Sequence, residues 1–222
     1  MKAVCFDDYQ TLRYLYINGG RIEVELAKAL KRRIDLNFRF LDCYNLESRK
    51  AEKTRKNDMR ETSLIEIITS VLKKLGYDTN AMKDMIIDSL VEATDKWKTC
   101  YYPDTFEVLG YIKERGYKLG LITNTHWPFP MEVRERYNTF FDVITISYEH
   151  GFVKPHPKIF QDTVTLLGVT PSDCIHVGDD PVADIQGAKG AGLSTVFINR
   201  NNIRNVVSDY EIAALEELKL IL

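Results

Sequence analysis

Proline is absent from the first 102 residues of this 222-residue chain, and all seven prolines lie from Pro103 onward. Such a change marks a composition boundary close to Tyr101. Cysteine is scarce: Cys5, Cys43, Cys100 and Cys174 are scattered with no Cys-x-x-Cys pairing, and two of them sit inside apolar runs where a thiol behaves as a small hydrophobe. They read as reduced, intracellular thiols. No apolar run approaches the roughly 20 residues of a membrane span, and Asp7 and Asp8 interrupt the amino terminus before a signal-peptide core could form. Neither sign of charge dominates, since 30 basic and 32 acidic residues leave a formal charge of -2 and no field to attract nucleic acid or an anionic membrane. A soluble, cytoplasmic protein is expected, monomer or homodimer, in which any charged ligand is held by a local site.

What the chain does have is a full complement of core. With 45% hydrophobic residues it can form one large domain or a domain with an insertion. Its organising stretch is Ala3 to Leu12, a short apolar run that ends in two carboxylates and a threonine. That is the pattern of a buried parallel strand delivering a polar group to its carboxyl edge, where open α/β sheets bind ligands. Asp7 there can satisfy a tight turn or attack an electrophile.

From about Gly20 to Lys98 the periodicity is helical. Ile22, Leu26, Leu30 and Ile34 recur every four residues, Leu64 to Leu75 repeats the helical face before Gly76, and Met82 to Val91 outlines another helix. Lys50 to Arg60 is highly charged and reads as a solvated helix face or a connecting loop. After Pro103 strands and helices alternate: a helix over 104–115, strands over 117–123 and 140–147, a helix over 157–167, a strand over 174–177, a helix over 181–191, a strand over 194–198 and a final helix over 211–222. This order predicts an α/β fold, a Rossmann-like parallel sheet flanked by helices. The core is expected to comprise residues 1–13 and 101–222, and an all-helical cap domain residues 14–100, hinged on linkers near 14 and 101 so that it opens and closes.

Four strand ends or loops bring chemistry together: Asp7; Thr123 and Asn124 in Leu-Ile-Thr-Asn-Thr; Lys154 in Val-Lys-Pro-His-Pro; and Asp179, Asp180 and Asp184 in Gly-Asp-Asp-Pro-Val-Ala-Asp. Phosphoryl transfer needs a nucleophile, cationic neutralisation of the phosphoryl oxygens and donors that position them. Asp7 with Asp179 forms a hard oxygen site suited to Mg²⁺. Lys154 would neutralise both Asp7 and a phosphate oxygen, while the Thr123 hydroxyl and the backbone N–H groups of Asp8 and Tyr9 would hold others. Each residue also has an ordinary reading. Thr123 and Asn124 can close a strand, Lys154 can be a loop lysine, Asp179 can cap the following helix, and Asp184 can serve the helix dipole or Lys154. His126 and Trp127 would sit near the pocket; His156 and His176 fit the loop and strand better than the chemistry. Nothing in the spacing singles out Arg32 or Arg33 to meet a substrate carboxylate.

Across essentially the whole chain these motifs resemble the haloacid dehalogenase superfamily of hydrolases, in members with a helical cap inserted after the first strand. The matching motifs are Phe-Asp-x-x-x-Thr-Leu at 6–12, Tyr-Lys-Leu-Gly-Leu-Ile-Thr-Asn at 117–124, Val-Lys-Pro-x-Pro-x-Ile-Phe at 153–160 and Gly-Asp-x-x-x-x-Asp at 178–184. The resemblance implies an aspartyl-enzyme intermediate on Asp7, Thr123 and Lys154 as binding residues, Asp179 as a metal ligand and a metal contact through the Tyr9 carbonyl. Two departures stand out. The family's phosphatases carry Asp-x-Asp-Gly-Thr, whereas this chain has Tyr9 and Gln10 at the third and fourth positions. Asp-x-Tyr is the pattern of its dehalogenases, which lack the acidic pair kept here as Asp179 and Asp184.

Three functions follow as expectations. The first is a Mg²⁺-dependent phosphatase of a small phosphorylated metabolite, slowed by loss of the acid at position 9. The second is a metal-independent 2-haloacid dehalogenase, and the third a weakly active member that binds a ligand or partner without turnover.

Overall fold

The computed structural model describes residues 2–17, 21–95, 97–125 and 129–222. The first strand, β1 (Ala3–Phe6), is followed by β2 (Arg13–Ile17) and four helices, α1 (Ile22–Lys31), α2 (Phe40–Asp58), α3 (Leu64–Lys74) and α4 (Lys83–Thr94). The strand β3 (Trp97–Tyr101) leads into α5 (Thr105–Glu114), β4 (Lys118–Thr123), α6 (Phe129–Tyr137), β5 (Val143–Ile146), a single turn α7 (Ser147–His150) and α8 (Pro157–Leu167). Then come β6 (Cys174–Gly178), a π-helical turn over Pro181–Gln186, α9 (Gly187–Gly190), β7 (Ser194–Ile198), β8 (Tyr210–Ile212) and a 3₁₀ helix over Leu215–Leu220.

Six strands pair in parallel in the order β5-β4-β1-β6-β7-β8. All four residues of β1 are buried, as a strand covered on both faces requires. On one face Val4, Phe6 and Leu121 pack against α5, α6 and the carboxyl-terminal 3₁₀ helix; on the other, Ala3, Cys5 and Ile122 pack against α8 and α9. After β1 the chain adds β4 and β5 on one side and returns to place β6, β7 and β8 on the other. The carboxyl ends of β4, β1 and β6 therefore meet where the strand order reverses, the place at which such sheets bind ligands.

Helices α1 to α4 bury a separate apolar cluster, with Leu26, Leu30, Ile68, Leu72, Ile86 and Leu90 at its centre. In α3 a capping box between Ser63 and Glu66 fixes the start. The charged run after Lys50 is the solvated part of α2, whose buried residues are Phe40 and Tyr44 at its beginning. What joins this cluster to the sheet is a two-stranded antiparallel ribbon, β2 with β3, in register from Arg13↔Tyr101 to Ile17↔Trp97.

Four expectations are corrected. The segment over 14–100 is not all helical, because it begins in β2 and ends in β3, which pair with each other. The final helix over 211–222 is instead β8, paired to β7, followed by the 3₁₀ helix. The helix over 181–191 begins as a π turn, and the strand over 140–147 is confined to Val143–Ile146. Among the described residues no helix is long and apolar enough to cross a membrane.

Candidate active site

Asp7 leaves the sheet immediately after β1, its N–H donating to the Val177 carbonyl of β6 at 2.9 Å. That bond holds the start of the loop against the neighbouring strand and places the Asp7 carboxylate beside the end of β6. Lys154, buried in the loop before α8, reaches it: Nζ lies 2.5 Å from Asp7 Oδ1 and 2.6 Å from Asp184 Oδ1. One ammonium thus bridges two carboxylates. Burying Asp184 works against its charge, but Lys154 and the His176 imidazole, whose Nε2 lies 3.0 Å away, hold its carboxyl well below the usual range. Its second oxygen accepts the Asp180 backbone N–H at 3.0 Å. Gly178 is required opposite it, because a Cβ there would overlap the Asp184 carboxylate.

Asn124 secures the lysine from the other side. Its Oδ1 accepts the Lys154 N–H at 2.8 Å and its Nδ2 donates to the Lys154 carbonyl at 3.0 Å, so its amide positions the loop. Thr123, the buried last residue of β4, faces the same cleft wall as Thr125 and Tyr9. Tyr9 is 44% exposed and Gln10 follows it at φ +67, a left-handed conformation glycine would adopt without strain. Asp180 accepts from the N–H groups of Val182 and Ala183 at 2.8 Å each, so it is Asp180, not Asp179, that caps the π-helical turn.

Asp8, next to the nucleophile candidate, has its side chain fully committed elsewhere. Arg13 Nε and an Arg13 NH2 group donate to its two oxygens at 2.6–2.9 Å, and the buried Tyr137 hydroxyl donates at 2.8 Å. Only the backbone of Asp8 is left to face a ligand. Arg32 and Arg33 both pair with Glu92 and lie outside the cleft. His156 accepts the Lys158 N–H at 3.1 Å and caps α8. His126 and Trp127 lie outside the described residues.

Asp7, Asp179 and Asp184 can each offer an oxygen within 4.8 Å of the others. Burial pushes the Asp7 carboxyl well above its ordinary value, with Asp184 and Asp179 adding to the rise and Lys154 opposing it. Burial, then Asp184, pushes Asp179 up to about 6, against a hydrogen bond from the Thr11 hydroxyl at 3.2 Å. Three hard, mutually repelling carboxylate donors and one lysine suit a divalent cation, whose charge would relieve the remaining repulsion. Asp7 and Asp179 could hold it, since Lys154, His176 and the Asp180 N–H together engage both oxygens of Asp184, whereas Lys154 meets Asp7 at Oδ1 alone.

Beside these residues opens a cleft of about 560 Å³ between the sheet and the helical segment. Its wall includes Tyr9, Thr123 and Asn124 from the strand ends, and Ile22, Leu64 and Trp97 from across the ribbon. The helical segment also touches the loop that carries Lys154. The Val153 N–H donates to the Met59 carbonyl at 3.0 Å, and the Ser147 hydroxyl donates to Glu61 at 2.8 Å while accepting the Thr125 N–H at 3.0 Å.

The sequence reading singled out Asp7, Thr123, Asn124, Lys154, Asp179, Asp180 and Asp184, and the structure brings them together at one end of the sheet. It noted Thr11 only as part of the first motif, missed Arg13 and Tyr137, and gave His176 no part in the chemistry. Tyr137 and Thr11 support carboxylates remote in the chain, Arg13 and His176 carboxylates five and eight residues away, and only the buried polar character of His176 within an apolar strand hinted at a role.

Comparison with known proteins gives a consistent result. A family model described as haloacid dehalogenase-like hydrolase matches residues 23–192. The chain is 34% identical over 160 residues to the glyceraldehyde 3-phosphate phosphatase of Methanopyrus kandleri, covering 67% of each protein. It is 29% identical over 226 residues to that of Methanocaldococcus jannaschii, covering 98% of this chain and 95% of the relative. Among solved structures, a HAD phosphatase from Thermococcus onnurineus superposes with a TM-score of 0.61 at 28% identity, covering 100% of this chain and 97% of that one. A 2-haloacid dehalogenase from Pseudomonas syringae superposes with a TM-score of 0.74 at 22% identity, with the same coverage, which is a likeness of fold.

Proposed function

Because the chain belongs to the haloacid dehalogenase-like hydrolases, we propose that it is a Mg²⁺-dependent phosphatase of a small phosphorylated metabolite that works through an aspartyl-phosphate on Asp7. The observation that carries this reading is the Lys154 ammonium bridging Asp7 and Asp184 beside Asp179. Asp7 forms a bond from one carboxylate oxygen to phosphorus as the bond from phosphorus to the alcohol oxygen breaks, and the alkoxide, leaving with that electron pair, takes a proton from solvent water. Water then attacks the phosphorus and gives up a proton to solvent, and the Asp7 carboxylate leaves with its electron pair, releasing phosphate. Lys154 neutralises Asp7 and an incoming phosphoryl oxygen, Asp184 and Asn124 position Lys154, and the Thr123 hydroxyl and the N–H groups of Asp8 and Tyr9 hold the other oxygens. Asp7, Asp179 and the Tyr9 carbonyl would hold the metal, whose charge would lower the repulsion between carboxylate and phosphate. The glyceraldehyde 3-phosphate phosphatases to which the chain is similar make a triose phosphate the first substrate to try.

Tyr9 favours a second reading, carbon–halogen cleavage, because it occupies the position of the phosphatases' acid. Against it, neither Arg32 nor Arg33 is placed to meet a haloacid carboxylate. Nitrophenol release from para-nitrophenyl phosphate with Mg²⁺, abolished by EDTA and by Asp7→Asn, is the expected result. Chloride release from 2-chloropropionate that is indifferent to EDTA would overturn the phosphatase reading.

A further inference from the structure

The cleft beside Asp7, which reaches Asp8, Tyr9, Thr123 and Asn124 at the strand ends, has an unbalanced wall. Among the described residues its charged members are Asp8, Arg13, Asp95 and Glu132. Arg13 is the sole cation of the four, and it is spent on Asp8 through three contacts of 2.6–2.9 Å within a buried pair. Glu132 is paired with Arg136, which stands outside the wall. Asp95, at the end of α4, is exposed. The remainder of that side is apolar, formed by Leu15, Ile22, Leu64, Val91 and the Trp97 ring, with the hydroxyls of Thr94 and Thr99 between them.

Resting on the phosphatase reading above, we infer that this cleft selects phosphate monoesters whose alcohol portion carries no negative charge, and rejects those bearing a carboxylate. With its phosphoryl group at Asp7, an ester extends its alcohol portion along the cleft. A neutral, hydroxylated alcohol exchanges water for the apolar wall and the threonine hydroxyls at little cost. A carboxylate in the same place gives up its water, gains no cation from the described wall and faces Asp95, and unpaired like charge is an effective means of rejecting a wrong ligand.

Glycerol 3-phosphate and 3-phosphoglycerate test this cleanly, since they differ chiefly in a hydroxymethyl group against a carboxylate. The measurement is kcat/KM for phosphate release from each, with para-nitrophenyl phosphate as a reference, on the wild type, Asp95→Asn and Asp95→Lys. Glycerol 3-phosphate is expected to be preferred by about 10²-fold. Asp95→Lys should narrow the preference by about tenfold and Asp95→Asn by less, in the same direction. Equal efficiency on the two esters, or a preference that neither variant moves, would overturn the inference while leaving the phosphatase reading intact. Failure to release phosphate from any ester with Mg²⁺ present would overturn the phosphatase reading, and the inference with it.

Discussion

Replacing Lys154 by methionine removes the one cation that spans Asp7 and Asp184 while nearly keeping its volume. All three groups are buried, so the variant strands two carboxylates in a poorly solvated site, with His176 and the Asp180 N–H left on Asp184 among the described residues. Removing one partner of a buried ion pair costs about 3–5 kcal/mol. A domain of ordinary stability has only about 5–15 kcal/mol to lose. The variant should therefore lose a large part of its resistance to urea, measured in EDTA so that no metal compensates. Lys154→Met combined with Asp184→Asn should recover part of the loss, because one stranded charge is gone; a coupling of about 0.5–3 kcal/mol is expected for groups in one network. Excess Mg²⁺ should stabilise the single variant, by about 2.7 kcal/mol when the ion is a hundredfold above its Kd. Turnover of para-nitrophenyl phosphate should fall by at least about 10²–10³ in every case, the effect of losing one positioned charge stabiliser. An unfolding free energy from urea titration within about 1 kcal/mol of wild type in EDTA, or a double variant no better than additive, would refute the bridging role assigned to Lys154.

Other outcomes follow from single contacts. Tyr9→Asp restores an acid to the cleft and should raise turnover of glycerol 3-phosphate by about 10²–10⁴ while changing para-nitrophenyl phosphate much less, since nitrophenolate leaves without a proton; equal gains on both would count against a missing general acid. Tyr137→Phe removes a donor to the charged Asp8 carboxylate and should cost about 1.5–3 kcal/mol by urea denaturation, with a negligible change showing the bond to be dispensable. Gly178→Ala drives a methyl group into Asp184 and should cost about 1–3 kcal/mol together with activity; a fully active, equally stable protein would contradict the packing of that strand end. The helices α1–α4 are expected to close over the cleft when vanadate and Mg²⁺ bind, and free and bound crystal structures with the same angle between helices and sheet would refute gating.

How legible the site was depended on whether each contact is local in the chain. The runs that became β1, β4 and β6 announce themselves as apolar stretches stopped by polar residues, so Asp7, Thr123 and Asp179 could be placed at one sheet edge from periodicity and topology alone. Lys154 could not: it stands in a loop, and only its surrounding motif marked it. The ribbon of β2 and β3 was invisible because its partners, such as Arg13 and Tyr101, lie far apart, and the two short runs, Arg-Tyr-Leu-Tyr-Ile and Trp-Lys-Thr-Cys-Tyr, carry no clean alternation. The tail misled for a different reason. Ile212, Leu215 and Leu218 are all buried, and their spacing looks helical over so short a stretch. A repeat of three residues, however, is the period of a 3₁₀ helix, in which side chains eclipse every third position, rather than the 3.6 of an α-helix. The edge of the sheet at β7 then captures Tyr210 to Ile212 as a strand, because three backbone pairings there satisfy groups that a helix start would have left to solvent. Local pattern thus fixed which groups reach the site, while side-chain contacts that periodicity does not report fixed what holds them there: Tyr137 for Asp8, Lys154 for Asp184 and Thr11 for Asp179 from afar, and Arg13 for Asp8 and His176 for Asp184 from nearby in the chain. Substitutions in that supporting set should therefore register in stability as well as turnover, whereas Asp7→Asn should register in turnover above all.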